Sequence, residues 1–136
     1  MPELQWLASA FPNFLRYLIA GFALVILFLW IYSLVTPWKE ITLIRAGNPA
    51  AALAFAGALL GFCLPLANTI RQSHSLVDVT LWAGVALVVQ IAVHLATRLL
   101  LPDLRRQIEY GETAAGTAAG GLALGFGLIN AACLTA

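Results

Sequence analysis

Three polar side chains share one face of a strongly apolar part of the chain. Gln90, His94 and Arg98 are spaced i, i+4 and i+8, so a helix places them in one ladder. Polar groups in the middle of a membrane span cost free energy and usually face the interior of a helix bundle. Because imidazole titrates near neutral pH, this ladder predicts one of two roles. It is either a path for protons or ions, or an interhelical hydrogen-bond clasp to Asn68 or Asn130.

A second group of residues favours close helix packing rather than chemistry. Glycines recur at intervals of four residues, which places the members of each pair on the same helix face. In lipid, such GxxxG pairs allow two helix backbones to approach closely. The pattern predicts tight packing within the chain or between copies, and its alternative is a narrow pore lined by backbone. The candidate residues are Gly57, Gly61, Gly116, Gly120, Gly121 and Gly125.

The sequence carries no motif that is typical of an enzyme or a metal site. It contains no HExxH pair, no nucleophile elbow and no paired carboxylates within an apolar segment. Every Asp and Glu lies in a loop or tail, and Cys63 and Cys133 stand far apart in apolar stretches. We therefore predict a protein without catalytic residues, metal or cofactor.

Composition assigns the chain to the membrane proteins. Of its 136 residues, 62% are hydrophobic and only 10% are charged, whereas soluble domains carry about 25% charged residues. Four apolar segments each reach the length of about 20 residues that a membrane span needs. They must be helices, because a bilayer offers no partner to unpaired backbone groups. The predicted spans are approximately 17–35, 49–70, 79–101 and 113–134. The prediction is an all-α, integral membrane four-helix bundle that forms a single domain over residues 1–136.

The segments that flank the spans lead to further predictions. The aromatic lead, residues 2–14, is either a short helix along the membrane interface or an extension of the first span. The mixed-charge stretch 104–109 reads as a helical extension of the third span with a solvated face. Asn48 before Pro49 predicts an N-cap for the second span, and Glu112 or Thr113 predicts one for the fourth.

The distribution of basic residues predicts the orientation. Five of them lie on the side of loops 37–48 and 102–112, and two lie on the opposite side. The positive-inside rule therefore places both loops in the cytoplasm and both termini in the periplasm. The five are Lys39, Arg45, Arg98, Arg105 and Arg106, and the two are Arg16 and Arg71.

An internal repeat groups the four spans into two hairpins. When the sequence is shifted by 64 residues, ten identities fall in the 21-residue window that begins at Gly47 and Gly111. A shift of 63 aligns Ala20-Gly21 with Ala83-Gly84. We therefore predict two parallel-repeat transmembrane hairpins, approximately 17–70 and 79–134, related by an axis along the membrane normal.

Several short motifs resemble a known family. They are Tyr32-Ser33-x-x-Thr36-Pro37, the stretch from Asn48 to Gly61, Thr113-Ala114-Ala115-Gly116 and Asn130-Ala131-Ala132-Cys133. Over roughly residues 14–133 the chain resembles the YjfL-type family, a bacterial inner-membrane family catalogued as domain of unknown function 350. The resemblance implies four spans built from a duplicated two-helix unit. It also implies an envelope-stress setting with a PspA-like cytoplasmic partner. It supplies no catalytic residue, and His94 is not part of its motifs.

The sequence thus favours a non-enzymatic inner-membrane protein. We expect a homo-oligomer that acts as a membrane anchor or partner in envelope maintenance or stress response. The alternative is a small ion channel or transporter built around the axis of the repeat or of an oligomer.

Overall fold

The computed structural model describes residues 2–134, and these form helices with no strand. Four of the helices are long and apolar enough to cross a membrane, as predicted. They are α1 (Pro2–Val35), α3 (Pro49–Gln72), α4 (Leu76–Leu100) and α6 (Thr113–Cys133). Two short helices, α2 (Glu40–Arg45) and α5 (Leu104–Glu109), precede α3 and α6.

The first helix is much longer than the predicted first span. It runs through the aromatic lead without a break and contains Pro12. At 1.5 Å per residue, its 34 residues extend for about 51 Å, compared with about 30 Å for the hydrocarbon core of a bilayer. The lead is therefore an extension of α1 rather than a separate interfacial helix.

Two short helices correct the prediction for the loops. Residues 104–109 form a helix of their own, α5, instead of prolonging α4, because residues 101–103 interrupt the helix at Pro102. Helix α2 was not predicted at all. We call the end of the bundle that carries α2, α5 and the starts of α3 and α6 the α2/α5 end.

The predicted helix-start signals before α3 and α6, the second and fourth spans, differ in their hydrogen bonds. The Asn48 side-chain oxygen accepts a hydrogen bond from Ala51 N at 3.1 Å, so the predicted N-cap is confirmed. The Asn48 amide also donates to Ile108 O at 2.7 Å, which ties the start of α3 to the end of α5. Glu112, at the corresponding place before α6, makes no capping hydrogen bond with its side chain.

The turns after α2 and α5 have the same backbone geometry. Gly47 and Gly111 have φ values of 85° and 75°, in the left-handed region that glycine adopts without strain. Each glycine N–H bonds a carbonyl three residues earlier, that of Ile44 or Ile108. The likeness is local to these turns, and the duplication of the whole hairpin stays a prediction.

The core of the bundle has an aromatic part and a small-residue part. In the first, Phe28 stacks on Phe62 with ring centroids 4.5 Å apart. The second lies at the α2/α5 end, where Leu104 and Ile108 of α5 pack with Trp38 and alanines of α3 and α6. The large side chains thus join α1 to α3, whereas small residues bring α3 and α6 together.

Candidate functional site

Helices α3 and α6 touch backbone to backbone. A methyl group built on Gly57 would overlap Gly120, and one on Gly116 would overlap the backbone of Ala50. One on Gly61 would overlap the backbone of Ala123. The two helices therefore run in the same direction and fill the centre of the bundle with main chain.

Gly127 also belongs to this contact, although its spacing does not continue the GxxxG pairs. A methyl group there would overlap the carbonyl of Gly61. Pro65 lies inside α3 and has no N–H to donate to that carbonyl, the one four residues before it. The Gly61 carbonyl, which Pro65 leaves without a hydrogen-bond donor in its own helix, therefore faces Gly127, where the missing side chain leaves room for it.

The glycine pair Gly121 and Gly125 lies elsewhere. Both residues are exposed, and nothing lies within 4 Å of a methyl group built on either of them. Their face of α6 points away from α3. Packing between copies therefore remains the prediction for this pair.

The residues of the predicted polar ladder bond to two different parts of the bundle. Gln90 donates from Nε2 to Ala123 O of α6 at 3.2 Å. Arg98 donates from Nη1 to Val35 O at the end of α1 at 2.6 Å. Gln90 and His94 are buried, whereas Arg98 is half-buried. The ladder thus bonds α4 to α6 and to the end of α1.

The two asparagines bind different parts of the bundle. Asn130 Nδ2 donates to Ala86 O at 3.2 Å and lies 3.5 Å from Gln90 Oε1. Asn68 Nδ2 donates to Ala131 O at 2.7 Å. The structure thus brings Gln90 and Asn130 together, while Asn68 joins α3 to the end of α6.

His94 contacts α1 and the following loop rather than either asparagine. Its Nε2 lies 3.2 Å from Thr36 Oγ1, and the Thr36 hydroxyl donates to Tyr32 O. Because a hydroxyl has only one hydrogen, this arrangement requires His94 Nε2 to donate. The rings of Tyr32 and Trp38 lie against the imidazole with centroids 4.6 and 5.9 Å away. His94 is therefore held in a partly aromatic box.

Glu40 is the residue of this site that the sequence did not reveal. Its side chain is buried, and the residue is only 7% exposed. Oε1 accepts hydrogen bonds from Tyr32 OH at 3.1 Å and Trp38 Nε1 at 3.3 Å. Burial raises the pKa of the carboxyl from 4.5 to about 7, although the bonds from Trp38 and Tyr32 act in the opposite direction. The group is poised to exchange a proton near neutral pH.

No sequence motif predicts that the Glu40 carboxyl is buried. Tyr32 and Glu40 are eight residues apart, and they meet because the chain leaves α1 at Pro37 and returns as α2. A tyrosine and a tryptophan near the end of a span also suit the membrane interface, which is a sufficient reason for their presence.

A small cavity lies among the polar side chains of this site. Its polar lining comes from Tyr32, Gln90, His94 and Thr97, and its volume is about 10 Å³. That is room for about one water molecule. Within residues 2–134, no three His, Cys, Asp or Glu side chains lie close enough to hold a metal ion. The arrangement can bind protons and hold helices together.

These features define an α-helical, multi-pass membrane protein with a closed centre. The family model described as Domain of Unknown Function (DUF350) matches residues 6–134. The chain belongs to this family.

Named relatives agree with the assignment to the membrane. The chain is 45% identical over 122 residues to the UPF0719 inner membrane protein YjfL of Escherichia coli (strain K12), covering 90% of this chain and 92% of that protein. It is 30% identical over 110 residues to the UPF0719 transmembrane protein YshE of Bacillus subtilis (strain 168), covering 79% of this chain and 82% of that one. No solved structure gives a significant match. The chain is therefore a multi-pass inner membrane protein.

Proposed function

We propose that this protein is a non-enzymatic scaffold of the inner membrane. In this proposal it assembles into a homo-oligomer and anchors a cytoplasmic partner, of the PspA-like kind, in envelope maintenance or stress response. The observation that carries the proposal is the closed centre of the bundle. Gly57 and Gly120 touch there, and the nearby polar cavity measures only about 10 Å³. The bundle formed by residues 2–134 of a single copy therefore contains no channel through which a solute could pass. A membrane anchor does not need such a channel.

The α2/α5 end supports the anchoring role. Leu104 and Ile108 are buried at 1% and 0% exposure, so they fix α5 firmly on the bundle. Between them, Arg105 and Arg106 expose 65% and 67% of their side chains. A rigid, charged helix at the membrane surface suits electrostatic docking of a partner protein. The basic loops favour a cytoplasmic location for this end.

The relation between α3 and α6 supports assembly into an oligomer. On α3, the face that meets α6 includes Ala54, Gly57 and Gly61. In the 64-residue internal alignment, these residues correspond to Ala118, Gly121 and Gly125, all of which are exposed on α6.

The α6 side of the internal contact also has corresponding residues on α3. On α6, the face that meets α3 includes Gly116 and Gly120. The shift transfers it to Ala52 and Ala56, which are exposed on α3. Each half of the internal contact thus has an unoccupied counterpart. A second copy would satisfy both counterparts in a head-to-tail contact.

Crosslinking in cells tests the anchoring role. A photo-crosslinking amino acid replaces Tyr110, which is 78% exposed beside α5. The matched control carries the same probe at exposed His74, at the opposite end. We expect a PspA-like protein to be captured from position 110 and not from position 74. Capture of no such protein, or equal capture from both positions, contradicts the proposal.

Disulfide formation tests the oligomer. Within the chain Gly61 of α3 meets Gly127 of α6. In the 64-residue internal alignment, Gly61 corresponds to Gly125 and Gly127 corresponds to Cys63. The proposed contact between copies therefore places Gly125 of one copy next to Cys63 of the next. In a Cys133→Ser background, we expect Gly125→Cys to give crosslinked multimers on mild oxidation. The control is Gly84→Cys on α4, which also has open space around it. Equal crosslinking of the two variants contradicts this contact.

The polar cluster favours a second candidate, proton transfer across the membrane. Glu40 and His94 are both buried and titratable, and the small cavity lies between His94 and Gln90. The test is proton flux into proteoliposomes under an imposed potential. This candidate requires flux that His94→Phe and Glu40→Gln abolish, and unchanged flux in His94→Phe rules the path out.

A further inference from the structure

A groove opens at the α2/α5 end of the bundle. It lies between the end of α4 and the start of α5, and its volume is about 520 Å³. Two arginines, Arg98 and Arg105, line it together with apolar side chains. The apolar lining comes from Pro37, Leu95, Leu99, Leu101, Pro102 and Leu104.

Arg98 is the fixed charge of this groove. Its guanidinium donates one hydrogen bond, from Nη1 to Val35 O at 2.6 Å. A guanidinium has five N–H groups, so most of its donors are still available for a ligand. The ion pairs within residues 2–134 are Arg105–Glu109 and Arg106–Asp103, and Arg98 takes part in neither. The groove therefore contains a positive charge that no carboxylate neutralises by direct contact.

Arg105 supplies a second charge that can move. It bonds Glu109 at 3.2 Å, and its side chain is 65% exposed. Such exposed pairs contribute little to stability. The pair can therefore share Arg105 with an anion.

The apolar walls lie on the lipid-facing side. Leu95 and Leu99 of α4 are 42% and 84% exposed. Arg98 lies in the last turn of α4, which is the depth at which arginines reach the headgroup layer. A ligand that touches both the arginines and these leucines must carry an anionic group next to an alkyl chain.

We propose that this groove binds an acidic phospholipid. Its phosphate lies against Arg98, Arg105 gives a second contact, and the first part of an acyl chain follows Leu95 and Leu99. The planar guanidinium matches the geometry of phosphate oxygens. Basic pockets between membrane helices are known to take lipid headgroups in this way. This proposal does not rest on the scaffold function proposed above, although Arg105 contributes to both surfaces.

Thermal unfolding of the full chain in detergent tests this site. Phosphatidylglycerol is titrated into the sample, with phosphatidylcholine and inorganic phosphate as separate arms. We expect phosphatidylglycerol alone to raise the Tm with saturation. Removing one arginine contact weakens the apparent affinity about fivefold, so this loss is expected for Arg105→Gln and for Arg98→Gln.

Control variants make the result decisive. Arg71→Gln removes an exposed arginine near the opposite end of the bundle and leaves the affinity unchanged. If Arg98→Gln fails to fold, Arg98→Lys keeps the charge without the planar fork and gives an intermediate affinity. Equal stabilisation by phosphatidylcholine overturns the proposal. So does equal stabilisation by inorganic phosphate, or a loss with Arg71→Gln that matches the loss with Arg105→Gln.

Discussion

Replacing Glu40 by glutamine should change how the stability of this protein depends on pH. The carboxyl is buried and accepts hydrogen bonds from Tyr32 and Trp38. A glutamine side-chain oxygen can accept the same two bonds without the charge. The variant therefore removes a titration and leaves the packing in place.

The direction follows from the raised pKa. Burial holds the pKa of Glu40 at about 7, compared with 4.5 for an ordinary glutamate. The folded protein then binds a proton more tightly than the unfolded chain does. The stability that this proton contributes is fully present below pH 4.5 and is lost as the pH rises through 7.

The size of the effect follows from the same values. One pKa unit corresponds to about 1.4 kcal/mol, so between pH 5 and pH 8 the wild type loses ~2 kcal/mol of unfolding free energy through Glu40. Glu40→Gln removes this loss, because its side chain does not titrate. The variant should be the more stable protein at pH 8 and close to wild type at pH 5.

Unfolding in detergent micelles measures this difference. Tryptophan fluorescence follows the transition at several pH values for wild type and Glu40→Gln. The difference between the two proteins cancels the contribution of His94, which lies beside Tyr32 and Trp38 and is present in both. A difference that stays constant from pH 5 to pH 8, or a variant that is less stable at pH 8, would show that the pKa of Glu40 is not raised.

Four further substitutions test the helix packing, the hydrogen-bond clasp and the N-cap of α3. Gly120→Leu should destabilise the fold by about 3 kcal/mol or more, because its side chain enters the backbone of α3. Gly84→Leu, with open space around it, should stay within about 0.5 kcal/mol of wild type in the same unfolding assay. Gln90→Leu should cost about 0.6–1.7 kcal/mol, the range for membrane hydrogen bonds, and no loss of stability would contradict a stabilising role for the Gln90 hydrogen bonds. Asn48→Ala should cost about 1 kcal/mol through the lost N-cap, seen as faster amide exchange at Ala51, and unchanged exchange there would contradict the cap.

The sequence predicts the spans well because their determinants are local. Length, composition and the Asn48-Pro49 signal place the starts of α3 and α6 correctly, at Pro49 and Thr113. Helix α2 has six residues, too few for a hydrophobic period to identify. The sequence predicts that residues 104–109 are helical, but as a continuation of α4 rather than as the separate helix α5. Pro102 separates α5 from α4, and a helical pattern alone does not detect that break.

The site could be predicted only in part, because it depends on which faces meet. The sequence shows that Gly57 and Gly121 each begin a GxxxG pair, but only the structure shows one buried and the other exposed. The same limit applies to Glu40. Its burial depends on the path of the chain after Pro37 and on two aromatic residues that turn towards it.

We propose that α2 and α5 together form one cytoplasmic surface on a closed four-span bundle. Cysteine accessibility in intact cells measures this directly, with single cysteines at Ala46, Tyr110 and His74 in a Cys63→Ser, Cys133→Ser background. All three positions are exposed. A membrane-impermeant maleimide should label position 74 from the periplasm and should not label positions 46 and 110 until the inner membrane is opened. Labelling of position 46 or 110 in intact cells would contradict a cytoplasmic location for this surface.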